Sequence, residues 1–198
     1  MKPSARWIGR GLLVGLVALG ACASDAESPV AEVRWDETAP ASGRVVDDSV
    51  EVTGVEGGAT FPLATLDADG VGDVGYAIVG DVRYEGVAEP GYLEMWTVFP
   101  DGSRYFSRTL DDEGAMAALA GDSDWRPFQL PFSLEGATQA PSTLELNAVL
   151  PSTGRVWIGP LRLVAVGDAT GAWWTDRTAG LVFGAGGAMI GVLGAMIG

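Results

Sequence analysis

The chain has 198 residues, with 26 acidic against 12 basic side chains, a formal charge of −14, no histidine and a single cysteine. The missing imidazole excludes Ser-His-Asp and Cys-His catalysis and histidine metal sites, and one cysteine excludes an intrachain disulfide or a cysteine zinc site. An acidic balance without a basic patch argues against nucleic acid, because phosphate neutralisation needs clustered Lys and Arg.

Residues 1–21 read as a targeting segment. Lys2, Arg6 and Arg10 form a basic start, and residues 11–20 are an apolar run too short to span a bilayer. The run ends at Leu19-Gly20-Ala21-Cys22, which resembles the lipobox of bacterial lipoproteins. That resemblance implies cleavage before Cys22, a lipid on its thiol, and an exported chain anchored in the bacterial cell envelope. Residues 22–43 are rich in Ala, Ser, Pro, Asp and Glu, and read as an acidic tether.

Residues 44–166 carry strand patterns and no long helical period. Residues 45–55 read as a first strand region, and 59–66 as a second, interrupted by Pro62. Residues 75–84 alternate, with Tyr76, Ile78, Val82 and Tyr84 on one side and Asp81 and Arg83 on the other. Residues 91–110 read as a β-hairpin closed by Pro100-Asp101-Gly102-Ser103, where proline presets the bend and glycine accepts positive φ. Leu93, Met95 and Phe99 take the core side of this hairpin; Tyr92, Glu94 and Trp96 take the outer side. Residues 111–124 read as a long loop with a helical turn around Met116. Residues 125–132 read as an edge strand, because Pro127 and Pro131 cannot donate to a ladder. Residues 143–150 point Leu144, Leu146, Ala148 and Leu150 inward, and 155–164 close the domain. Short strands spaced by turn signals predict an all-β jelly-roll sandwich over residues 44–166.

The later strands carry a resemblance. Ser123-Asp124-Trp125-Arg126-Pro127-Phe128, Leu130-Pro131-Phe132 and Gly154-Arg155-Val156-Trp157 are similar to the last strands of galactose-binding-like jelly rolls, which include many carbohydrate-binding modules. Gly159-Pro160 stands where that family carries an acidic or amide pair. The resemblance implies a jelly roll that binds a carbohydrate.

Residues 171–198 form a separate element. Trp173 and Trp174 stand before an uncharged stretch, 179–198, whose twenty residues reach roughly 30 Å as a helix, about one hydrocarbon core. Gly180, Gly184, Gly187, Gly191, Gly194 and Gly198 alternate steps of four and three, which places them on one helical seam. Such a seam lets two backbones approach in lipid, so the segment is expected to be a transmembrane helix that packs against a partner or a second copy.

Three site readings follow. Asp81, Arg83, Tyr92, Glu94, Trp96, Glu145 and Asn147 all face outward by alternation. On neighbouring strands of one sheet they would form a patch for a polysaccharide or surface glycan, with rings stacking on aromatics and hydroxyls on polar groups. Glu94 and Glu145 would act as a glycosidase pair only inside a shared cleft, so the expected role is non-catalytic. Asp67, Asp69 and Asp73 have the look of a short calcium loop, but Val71 and Val79 stand where an EF-hand needs oxygen ligands. No other cofactor is implied. The alternative function is a structural or protein-interaction module of the envelope. Burial of Trp96 would favour that alternative.

Overall fold

The computed structural model describes residues 29–166. The targeting segment, Cys22 and the glycine seam lie outside the described residues. Within them the chain is all-β, and no helix is long and apolar enough to cross a membrane.

The fold is organised by β5 (Gly75–Val98), 24 residues of continuous extended chain. Its first half lies between β7 (Leu119–Ser133) on one side and β9 (Gly154–Ile158) followed by β10 (Leu161–Val166) on the other. Beyond β9 come β3 (Ser49–Gly54) and β2 (Arg44–Val46), and beyond β10 comes β1 (Ala31–Val33). The second half of β5 lies between β6 (Arg104–Arg108) and β8 (Thr143–Leu150), with β4 (Ala59–Asp67) beyond β8. All these pairings are antiparallel. One curled sheet therefore folds onto itself, and the two halves of β5 serve both layers of a jelly-roll-like sandwich.

The turn of β5 from layer to layer has a local cause. Its register with β7 shifts between Val82 and Tyr84, between Tyr84 and Val87, and between Val87 and Gly91. Bulges bend a strand and raise its twist. Gly86 supplies a φ of +61°, and a Cβ on Gly91 would lie 2.6 Å from the Val149 carbonyl oxygen, so neither position accepts a side chain freely.

The inner faces interdigitate as alternation dictates. Tyr76, Ile78 and Val82 from one half of β5 meet Leu93 and Met95 from the other, with Leu144 and Leu146 of β8, in one buried cluster. Each large apolar side chain so buried contributes roughly 1.5–3 kcal/mol. Pro62 sits at a bulge of β4; Leu63 is buried there, and the shift brings Ala64 and Leu66 opposite the inward Leu146 and Leu144. The Tyr76 hydroxyl and Thr97 Oγ1 share a hydrogen bond of 2.7 Å that joins the halves of β5 inside the core. Burial pushes the Tyr76 phenol well above its ordinary pKa, so it stays neutral.

Two expectations change. The tether assigned to 22–43 is part of the folded unit from residue 29 onward. Ala31–Val33 pairs with β10, Trp35 is 2 % exposed, and its indole Nε1 donates to the Gly159 carbonyl at 2.8 Å. Ala31, Val33 and Trp35 form a short period-two pattern inside an acidic stretch. The loop of 111–124 is also shorter than expected, because β7 begins at Leu119 and only Gly114–Met116 makes a 3-10 turn. β7 pairs with β5 alone, so its prolines do sit on an edge.

Candidate functional site

The register of β6, β5 and β8 brings five of the seven expected patch residues together. Glu94 stands between Arg108 and Asn147, and Trp96 between Phe106 and Glu145; Tyr92 lies one row on. The Glu94 carboxylate, 4 % exposed, is the hub. Its Oε1 accepts the Trp96 indole N–H at 2.6 Å and the Asn147 amide at 3.2 Å, and its Oε2 accepts Arg108 Nε at 2.7 Å. Bonds from a guanidinium to a carboxylate are among the stronger kinds.

The aromatic surfaces of this face are also taken. The Arg108 guanidinium lies 4.1 Å from the Phe106 ring centre and 5.0 Å from that of Tyr92. Arg104 lies 5.0 Å over Trp96 and pairs with Glu145. Phe106 meets Trp96 edge to face at 5.3 Å. β6 thus covers Trp96 with the chain's own cation and ring, which is where a sugar was expected to stack. Glu94 and Glu145 are each held by an arginine, which argues against a glycosidase pair.

Asp81 and Arg83 do not join this patch. They lie on the other half of β5, and β5 has changed layers between them and Tyr92, so they face out from the opposite side of the sandwich. There Arg83 and Arg155 lie 4.9 and 5.0 Å from the Trp157 ring centre. The Trp157 Nε1 donates to Glu51 Oε2 at 2.9 Å, and Arg44 donates to the same carboxylate at 3.0 Å. Glu85 pairs with both Arg83 and Arg155. The sequence reading missed Glu51, although Val50-Glu51-Val52 carries the alternation that would have placed it outward.

Beside this second hub lies Trp125, 48 % exposed. Gly159 leaves room beneath it: a Cβ there would stand 3.8 Å from the Trp125 ring and 3.5 Å from the Asp81 carbonyl oxygen. Trp35, Trp96 and Trp157 each donate their indole N–H to an internal acceptor. Trp125 makes no such bond among the described residues, and the neighbouring Asp81 is exposed.

Asp67, Asp69 and Asp73 are all exposed. Among the described residues no group of three or more potential ligands is placed to hold a metal ion. Ala68 and Val71 are buried, so this segment is a core-anchored turn with its acids in solvent.

No family model matches the chain, and no curated protein matches it. Solved structures with some likeness include a subviral particle of infectious bursal disease virus, at 17 % identity over 72 % of this chain with a TM-score of 0.45. Tailspike protein 4 of bacteriophage CBA120 matches at 10 % identity over 63 % of this chain and 17 % of its own, with a TM-score of 0.41. PirA matches at 12 % identity over 61 % of this chain and 95 % of its own, with a TM-score of 0.35. The chain spans about a third of the length of the viral capsid chains it matches. Scores this low carry no argument about function.

Proposed function

We propose that the protein is a membrane-tethered, extracytoplasmic β-sandwich of the bacterial envelope that binds a polysaccharide or surface glycan without catalysis. The observation that carries this reading is Trp125, an exposed indole whose N–H has no acceptor among the described residues, beside Asp81 and the bare backbone of Gly159. An aromatic face with adjacent polar groups is what a sugar ring uses: the face stacks, and the carboxylate and indole N–H take hydroxyls. The site therefore moves from Tyr92, Glu94 and Trp96 to Trp125 and Asp81. The Cys22 lipid and the 179–198 helix supply the tether in this reading. The resemblance of residues 123–132 and 154–163 to carbohydrate-binding jelly rolls points the same way.

The test is a broad glycan array with the wild-type domain and with Trp125→Ala. Binding that Trp125→Ala removes at unchanged thermal stability supports the proposal. Binding that survives the substitution, or a wild-type domain that retains no glycan, overturns it. A second reading, a structural or protein-interaction module of the envelope, is favoured by the closure of the Trp96 face by Arg104 and Phe106. The glycine seam would then carry the assembly. Association in membranes that Gly187→Leu with Gly191→Leu weakens would support that reading.

A further inference from the structure

Arginines sit over most of the outward aromatics of the sandwich. Among the described residues they lie 4.1 to 5.0 Å from the ring centres of Tyr92, Trp96, Phe106 and Trp157. Besides Trp125, one aromatic group has no such partner among the described residues. Phe99, Tyr105 and Phe132 cluster where the hairpin turn meets the segment after β7. Tyr105 meets Phe99 edge to face at 5.7 Å, and Phe132 lies 6.4 Å from both. Tyr105 and Phe132 are half-buried, and all three rings line an open cleft of about 290 Å³. That lies at the small end of ligand pockets, which start at about 300 Å³.

The rest of the lining is acidic or neutral. Asp101 and Glu135 are exposed and line the cleft with Gln139, and no Arg or Lys among the described residues lines it. Asp101 Oδ1 accepts the Ser103 hydroxyl at 2.6 Å and the Ser103 backbone N–H at 2.9 Å. These bonds hold the Asp101 carboxyl below its ordinary pKa, so it is charged at neutral pH. A positive group over aromatic faces is attracted by the ring quadrupole, and carboxylates at the rim add to that attraction.

We propose that this cleft is a second ligand site, distinct from the Trp125 surface, and that it takes an organic cation of the quaternary-ammonium class. Such a group is broad and weakly hydrated, so it suits the ring surfaces of Phe99, Tyr105 and Phe132. Asp101 and Glu135 disfavour an anionic ligand. A free small molecule and a lipid headgroup both present this ammonium chemistry.

The test is titration of the full chain with choline chloride, followed by isothermal calorimetry and by tyrosine fluorescence. The neutral isostere 3,3-dimethylbutan-1-ol is the control, because it has the same shape without the charge. Choline should bind at millimolar concentration and the isostere at least about tenfold more weakly. Asp101→Asn and Glu135→Gln should each weaken choline binding about threefold or more, and Tyr105→Leu should weaken it further. Glycerophosphocholine forms a parallel arm: binding tighter than that of choline identifies a lipid headgroup as the source, and choline binding that glycerophosphocholine does not match identifies a free cation. Equal binding of choline and the isostere, or no choline binding by a wild-type chain of native circular dichroism, overturns the proposal. So does choline binding that both carboxylate variants leave unchanged. Because Asp101 also caps the turn, Glu135→Gln keeps the test decisive if Asp101→Asn loosens the hairpin.

Discussion

On one outer face Glu94 accepts the Trp96 indole N–H at 2.6 Å; on the other, Glu51 accepts that of Trp157 at 2.9 Å. Each carboxylate also holds an arginine, and each indole carries a guanidinium over its ring. The difference lies in where the arginine comes from. The Arg108 side chain is 27 % exposed and reaches Glu94 from a strand that also covers the aromatic row. The Arg44 side chain is 72 % exposed and reaches Glu51 from the edge strand β2. The first face therefore carries an arginine over every ring of its aromatic row, while the second does so around Trp157 and leaves Trp125 open. The same residue types seal a surface or leave one ring free according to which strands flank the hub.

Glu94→Ala tests the closed face most severely. It strands the Arg108 guanidinium, the Trp96 N–H and the Asn147 amide together, and a broken buried pair of this kind costs about 3 kcal/mol or more. The thermal midpoint should fall by ~10 °C in a domain of this size. A loss below about 1 kcal/mol in denaturant melts would mean the hub is as replaceable as a surface pair. Trp96→Ala comes next, at about 2 kcal/mol, because the half-buried indole packs against Phe106 as well as bonding Glu94. Urea melts that show no change would return Trp96 to the list of ligand-binding residues.

Glu51→Ala sharpens the contrast. Arg44 can return to water, so the cost is mainly the orphaned Trp157 N–H, about 1–2 kcal/mol. A penalty equal to that of Glu94→Ala would erase the distinction between the faces. Trp125→Ala should be the mildest, within about 0.5 kcal/mol of wild type, since an exposed ring without partners contributes little. A large loss of stability there would identify a packing role and remove the basis for a sugar platform.

How much of this was readable from sequence depends on the kind of information each feature needs. The hairpin was legible, because Pro100-Asp101-Gly102-Ser103 and the alternation from Tyr92 to Phe99 are local signals, and β6 follows in register. The inward set Leu144, Leu146, Ala148 and Leu150 was legible for the same reason. The course of β5 was not. Gly86, Pro90 and Gly91 look like loop punctuation, yet bulges keep the chain extended through them. Alternation tells which side of a strand a residue takes, but not which layer the strand has reached. Asp81 and Tyr92 were therefore grouped although the fold sends them to opposite faces. The partners of Glu94 and the freedom of Trp125 depend on register across bulged pairs, which local patterns do not encode. β1 was hidden because its apolar positions are few and sit among acids.

The pairing of β1 with β10 fixes how the domain can be held. Ala31 lies opposite Leu163, and the Val30 N–H donates to the Leu163 carbonyl, so the chain enters the fold beside the place where β10 leaves it. Val166 pairs with Gly75, and Gly75 pairs with Ser133, which puts that same corner at the end of the sandwich where β7 runs into the acidic cleft. Both flanks of the domain therefore emerge from one footing. In the envelope reading, a bilayer that takes the lipid at one flank and the helix at the other can hold both without any chain wrapping around the body. The sandwich would stand on that footing with the cleft toward the lipid, and with its opposite end, at Gly54 and Ser152, farthest from it.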